Sequence, residues 1–327
     1  MKYTGKIISL AFPDTFVKLS DETFVKFLSY VGIGTSQYIK AGHAAFVLID
    51  NQTGRAEYFD FGRYITPKGK GRVRSAITDV ELEMGIQASF AEDGKLSNVE
   101  EFLLWLEASP EKTHGEGRLI ASVCDYIYYD KVKSFILGMQ EKRSVPYKAF
   151  GKHGSNCSRI VTDAILAGTD HPVIRKGLLW NKKFTPSPLG NVEKSSLENP
   201  IYETIGGVVK RYSGSIFKEN LKNYFDKKVP VGNSSDNECE RIDDADFLEG
   251  IGSSAYFKLE NSEKEQHYVI SRYTESGILD FKGVFKEKKG RFDSCIPFSF
   301  QYESNCKECY VKQNETVFVF DLVARIS

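Results

Sequence analysis

The sequence predicts an α+β domain over about residues 1–200, a linker over 201–234 and a small all-β domain over 235–327. Three observations carry this expectation. Segments of helical and of strand periodicity alternate up to about residue 180. After Trp180 the run NKKFTPSPLGNVEKSSLENP is polar, holds three prolines and reads as a linker or wrapping loop. From about residue 247 onward only strand-type runs occur (SAYFKL, HYVISRYT, ILDFKGVF, IPFSFQY, CYVKQ and TVFVFDLVARI), separated by Gly-, Asn- or Lys-rich turns. A chain of 327 residues, 41% hydrophobic and 27% charged, has enough apolar material for two cores.

The elements follow in order. MKYTGKIISLAFPDTF has one short apolar stretch, Ile7 to Phe12, ended by Pro13. It is thin for a secretory segment and lacks an A-x-A-like site, so the expectation is the first strand of a cytoplasmic protein. Ser20 and Asp21 precede a helical pattern of Phe24, Val25, Phe27, Leu28 and Val31, stopped by Gly32. HAAFVLIDNQTGRAEYFDF, residues 43–61, reads as a hairpin, with Gly54 in the left-handed position of its turn. Ser97-x-x-Glu100 is a capping box opening VEEFLLWLEAS, which Pro110 closes. Residues 118–129 form a strand, and Asp130 caps a helix through about Met139. The polar stretch 230–245 is a second break.

The best-defined helix begins at Cys157. Small or apolar residues at 157, 160, 161, 164, 165 and 168 fall on one face of it. Ser155 or Asn156 is its N-cap, Gly168 its terminating residue and Pro172 the stop.

Lys+Arg and Asp+Glu both total 44, so no charge excess points to nucleic acid or to an anionic membrane. No run of about 18 apolar residues is present to span a bilayer.

Cys157 carries the chemical interest. A helix N-terminus places partial positive charge beside the sulfur and offers free N–H groups to an oxyanion. A thiolate nucleophile also needs a base. A lone cysteine on a helix face is more commonly a core residue, so the base decides the matter. Of the five histidines, His43 opens the strand HAAFVLID directly after Gly42. His153 lies on the turn before Cys157; His114 and His171 read as loop residues, and His267 lies in the β region.

GHAAFVLID with its hairpin, followed about 110 residues later by SNCSRIVTDAILAG, resembles the circularly permuted NlpC/P60 (papain-like) superfamily, over about residues 1–185. The run GHAAFVLIDNQTGRAEYFDFGRYITPKGKGRVRS and the stretch Gly250–Leu259 resemble a DUF6695-type family of Bacteroidetes proteins, over nearly the whole chain. The superfamily resemblance implies a permuted papain-like fold with Cys157 as nucleophile and His43 as general base. It also implies a third polar residue on the strand after the histidine. Folding the hairpin about Gln52–Thr53 sets Gly62 opposite His43, and Asp60 is the nearest acid on that strand face, which Tyr58 and Tyr64 share. Asp60 is either the third member of a triad or an ordinary strand-end carboxylate.

The implied function is a cysteine hydrolase acting by acyl transfer on a peptide or cell-wall-derived amide, with the β domain restricting or recruiting substrate. Two alternatives stay open. One is a non-catalytic binding module on the same fold. The other is a lipid or ester acyltransferase, which predicts a broad apolar channel beside Cys157 where a peptidase predicts a polar groove. No cofactor is expected. The C-x-x-C of Cys306 and Cys309, with Cys239 and Cys295, offers a weak four-thiolate zinc pattern, since no second C-x-x-C exists.

Overall fold

A computed structural model describes residues 2–19, 32–150, 153–228, 242–288 and 290–326. The helix expected over 21–31 lies outside the described residues, as does most of the 230–245 break.

The first domain is built on an eight-stranded sheet with helices on both faces. Its strands are β1 (Gly5–Phe12), β4 (His43–Asp50), β5 (Ala56–Gly62), β6 (Lys70–Arg74), β7 (Leu119–Ile127), β8 (Ser144–Pro146), β9 (Ile201–Ile205) and β10 (Val208–Arg211). They lie in the order β10-β9-β7-β1-β4-β5-β6-β8. Between β1 and β4 the short strands β2 (Val17–Lys18) and β3 (Tyr38–Ile39) pair separately. The hairpin forms in the expected register: Ala45 faces Asp60 and Phe46 faces Phe59, with Gly54 at φ 72° in the turn.

Alternation along β4 divides its side chains between two cores. Ala44, Phe46 and Leu48 meet α3 (Tyr129–Glu141), α4 (Cys157–Gly168) and α5 (Pro172–Lys182) through Val132, Ile160, Val161, Ile174 and Leu178. Ala45, Val47 and Ile49 meet Phe102, Leu103 and Leu106 of α1 (Val99–Glu107) on the other face. A short helix α2 (Pro110–Thr113) follows α1.

Several local expectations are corrected. Helix α1 is entered from Asn98, one residue later than the proposed box: Asn98 Oδ1 accepts from Ser89 N–H and its Nδ2 donates to Glu101. Asp130 sits inside the first turn of α3, not at its cap. Pro172 begins α5 rather than merely stopping α4, the favourable first-turn position for a residue without an N–H. The polar stretch after Trp180, expected as a linker or wrapping loop, contains α6 (Pro188–Ser196), capped by Ser187, whose hydroxyl accepts from Gly190 N–H at 3.0 Å. That Ser-Pro start was the readable signal. Nor is 201–234 simply a linker: β9 pairs with β7, and α7 (Ile216–Tyr224) buries Ile216 beside Leu189 and Val192. Part of the polarity of these segments is buried and paired: on α6, Asn191 bonds Ser158 and Thr162 and Ser195 bonds Ser9.

The second domain is all β. Strands β11 (Asp246–Leu248), β12 (Ala255–Asn261), β13 (His267–Thr274), β14 (Leu279–Glu287), β15 (Ser299–Phe300), β16 (Glu308–Gln313) and β17 (Thr316–Arg325) form one antiparallel sheet in the order β11-β12-β13-β14-β17-β16-β15. It curls towards a barrel: Phe300 N–H, on the last strand, donates to Asp246 Oδ2, on the first, at 2.6 Å. Phe257, Phe285, Phe300 and Phe320 fill its core. Cys306 and Cys309 are buried in that core, Cys295 is exposed and Cys239 lies outside the described residues. Among the described residues no cluster of three or more His, Cys, Asp or Glu side chains is placed to hold a metal. No helix among them is long and apolar enough to cross a membrane.

The domains meet through a buried charge cluster and a backbone contact. Arg72 on β6 makes a two-pronged pair with Asp79, both contacts at 2.6 Å. Arg272 on β13 reaches across to Asp79 (3.2 Å) and Glu81 (2.6 Å), and also holds Asp280 of its own domain. Nearby, Ile65 N–H donates to Ser253 O and Gly252 N–H to Arg63 O, each at 2.9 Å.

Candidate active site

Cys157 and His43 come together where α4 meets the start of β4. Asn156 caps α4 by accepting from Arg159 N–H at 2.9 Å, and its amide donates to Lys148 O. Asn191, on α6, donates to Ser158 O and accepts from Thr162, each at 2.7 Å. The first turn of α4 is therefore fixed from both sides. Cys157 is 7% exposed; its Sγ lies 4.0 Å from the Ser158 hydroxyl, and the His43 and Tyr147 side chains and the Ala44 N–H are the neighbouring groups that act on the thiol.

His43 sits at the first position of β4, with parity that points it to the opposite side of the sheet from Ala44. Its Nε2 lies 3.6 Å from Asp60 Oδ2, an ion-pair contact slightly longer than a hydrogen bond, and 3.5 Å from the Tyr64 hydroxyl. Cys157 and Asp60 thus approach His43 from the two sides, at the one strand end where both can reach it.

Asp60 is fully buried and densely partnered. Arg74, directly across on β6, donates from Nε to Oδ1 (3.0 Å) and from Nη2 to Oδ2 (2.5 Å). The hydroxyls of Tyr58 and Tyr64 each donate to Oδ2 at 3.3 Å. Burial alone would raise its pKa, but Arg74 and His43 hold the carboxyl well below the usual range. The hydroxyl protons of Tyr58 and Tyr64 are held more tightly than usual, by burial and by the Asp60 charge.

The position opposite His43 is Gly62, and it serves Tyr64. A Cβ there would lie 2.2 Å from the Tyr64 ring. That ring is further enclosed by the Arg74 guanidinium at 3.8 Å, by the His114 ring at 4.9 Å and by Gly252 of the β domain. His114 is neutral there, its pKa pushed down to about 3 by burial and by the Arg74 charge.

The thiol and imidazole shift in opposite directions. Burial lowers the His43 pKa, but the contacts to Asp60 and Cys157 outweigh it and raise the pKa to about 9. Burial raises that of Cys157, but His43 and the Ala44 N–H outweigh it and lower it. Each shift runs towards the charged form, thiolate for Cys157 and imidazolium for His43.

Two cavities flank the pair. Cys157 lines one of about 250 Å³, mainly apolar, with Ile33, Ile39, Ala41, Phe150 and Pro188 in its wall. His43 lines the other, of about 620 Å³ and more polar, with Arg63, Tyr64, His114, Glu116 and Glu249. Tyr147 borders both.

Of the residues singled out in the sequence, Cys157, His43 and Asp60 converge. His153, His171 and His267 do not join them: His171 occupies the N-cap position of α5 without a side-chain capping bond, and His267 Nδ1 bonds Glu265 O. Sequence reasoning missed Arg74 and Tyr147. Arg74 was signalled by the alternation Arg72-Val73-Arg74, two arginines on one face of a strand next to Asp60. Tyr147 precedes a loop and carried no such pattern.

Comparison with known proteins gives four findings. A solved structure described as the crystal structure of the type VI secretion system effector TseH aligns over 65% of this chain and 100% of its own, at 18% identity and a TM-score of 0.42. The DUF6695 C-terminal domain matches residues 245–323, and no curated protein matches. The type VI secretion system effector TseH-like model matches residues 7–174, just over half of the sequence and including His43, Asp60 and Cys157, so the chain belongs to that family.

Proposed function

We propose that the protein is a cysteine hydrolase of the NlpC/P60 type, acting on an amide in a peptide or cell-wall-derived fragment. The observation that carries this is the Cys157–His43 pair: a thiol at a helix N-terminus, pulled down by an imidazole that a buried, ionised Asp60 faces from its far side. With the Nε2 edge of His43 turned to Asp60 and Tyr64, Nδ1 remains for the sulfur.

In the proposed reaction the Cys157 thiolate adds to the carbonyl carbon, forming a C–S bond. The oxyanion is met by first-turn N–H groups of α4, which have no intrahelical acceptor. The C–N bond then breaks as His43 gives its proton to the departing amine. Water, deprotonated by His43, cleaves the thioester to release the acid and restore the pair. Asp60 keeps the imidazole oriented and stabilises its charged form, and Arg74 keeps Asp60 ionised.

The acyltransferase alternative draws on the apolar cavity beside Cys157. At about 250 Å³ that cavity suits a short acyl group rather than a lipid chain.

The test is a screen of peptide, ester and muropeptide substrates against the chain and its Cys157→Ala variant. Amide turnover that disappears in the variant supports the proposal. Turnover retained in the variant, or restricted to esters, overturns it.

A further inference from the structure

The two cavities divide the roles of the pair, and the division constrains the substrate. Cys157 lines the apolar cavity and His43 does not; His43 lines the polar cavity and Cys157 does not. In acyl transfer the acyl half stays on sulfur, while the leaving half departs with a proton from the imidazole. The leaving half therefore sits on the His43 side, among Arg63, Glu116 and Glu249 of the polar cavity. The acyl half is left on the Cys157 side, against Ile33, Ile39, Ala41, Phe150 and Pro188.

We infer that the substrate is an amide whose acyl side carries a compact apolar group, seated in the cavity that Cys157 lines; this rests on the proposed hydrolase reading. Size and chemistry agree. About 250 Å³ is below the usual range of about 300–1,000 Å³ for drug-sized ligands and holds a single apolar side chain or short acyl chain. A charged group placed there would lose its hydration against a mainly apolar wall, in which Lys18, shared with the polar cavity, is the one charged side chain. Tyr147, which acts on the thiol, borders both cavities together with Val17 and Lys18, so these residues mark the boundary between the two halves.

The experiment uses the full chain and covalent probes, so no natural substrate is needed. Alkylation of Cys157 is followed by intact mass and peptide mapping with acetyl-leucyl chloromethyl ketone, acetyl-aspartyl chloromethyl ketone and iodoacetamide. The leucyl probe is expected to react roughly tenfold to a hundredfold faster than the aspartyl probe, each normalised for its rate with a free thiol. Ile39→Glu should erase that preference, each ketone rate being read relative to the iodoacetamide rate of the same variant. Equal rates for the two ketones, or a faster aspartyl probe, with iodoacetamide still reacting at Cys157, overturn the apolar acyl site alone. Failure of iodoacetamide at Cys157 overturns the hydrolase reading and this inference together. If Ile39→Glu does not fold, the comparison on the unmodified chain decides.

Discussion

Cys157 and Cys306 are both buried, both free and both near a cation, yet their thiols move in opposite directions. Burial pushes the Cys306 thiol up to about 12 despite the nearby Arg272. The difference lies in the surrounding charges. Around Cys306, Arg272 and Arg72 face three carboxylates, Asp79, Glu81 and Asp280, so positive charge is already fully countered. Around Cys157, His43 and Arg74 share one contacting carboxylate, Asp60, with Asp79 acting on Arg74 from further away, and the positive charge left over favours a thiolate. A cation near a buried thiol activates it only when that cation is not already neutralised. Cys124, buried with no such surplus, is likewise raised to about 12.

The comparison breaks most decisively on labelling. At mildly acidic pH, iodoacetamide is expected to modify Cys157 while Cys124, Cys306 and Cys309 stay unmodified until the chain unfolds, as read by peptide mapping. Labelling Cys157 no faster than the exposed Cys295 would remove the distinction.

Replacing His43 by Ala takes away the cation itself. Turnover should fall roughly a hundred- to ten-thousand-fold, and the pH for half-maximal alkylation of Cys157 should move up. In the unaltered chain, activity should rise with pH through the depressed Cys157 pKa and fall again as His43 deprotonates near 9. The stability linked to these groups has matching signs. That from His43 is complete below its ordinary 6.5 and is lost as pH rises through about 9; that from the Cys157 thiolate is lost as pH falls through its depressed value.

Asp60→Asn tests the other half of the charge balance. It leaves Arg74 buried without its carboxylate, so unfolding by urea should show a loss of about 3–5 kcal/mol. If the variant keeps full stability, Arg74 has another counter-ion and the balance described above is wrong. Tyr64→Phe should have the smallest effect. It removes one long hydrogen bond to Asp60 and one contact to His43, worth about 1 kcal/mol, read as a severalfold drop in kcat with KM unchanged. Unaltered kcat would make the Tyr64 hydroxyl a packing feature only.

Much of this arrangement was legible in the sequence. The hairpin register, the helix starting at Cys157 and the shared strand face of His43 and Asp60 all follow from local periodicity and turn chemistry. What stayed hidden depends on distant chain. Arg74 reaches Asp60 through β5–β6 pairing, and Asn191 braces α4 from a segment that reads as a loop. Nothing local says why a glycine stands at 62, because the tyrosine two residues later that fills its space gets there only in the folded sheet.

The contact between the two domains has a thermodynamic consequence. Arg272 and Asp79 are each almost wholly buried, and each lies in a different domain. Opening the β domain alone would leave Asp79 short of a partner and release the backbone bonds that hold Arg63 and Ile65 beside Tyr64. Two cores separate in topology are thereby coupled in stability, and heat or denaturant should melt them in a single cooperative transition. Loss of the last eighty residues would then register first as a disordered candidate site around Tyr64 and His43, well before it registered as a missing domain.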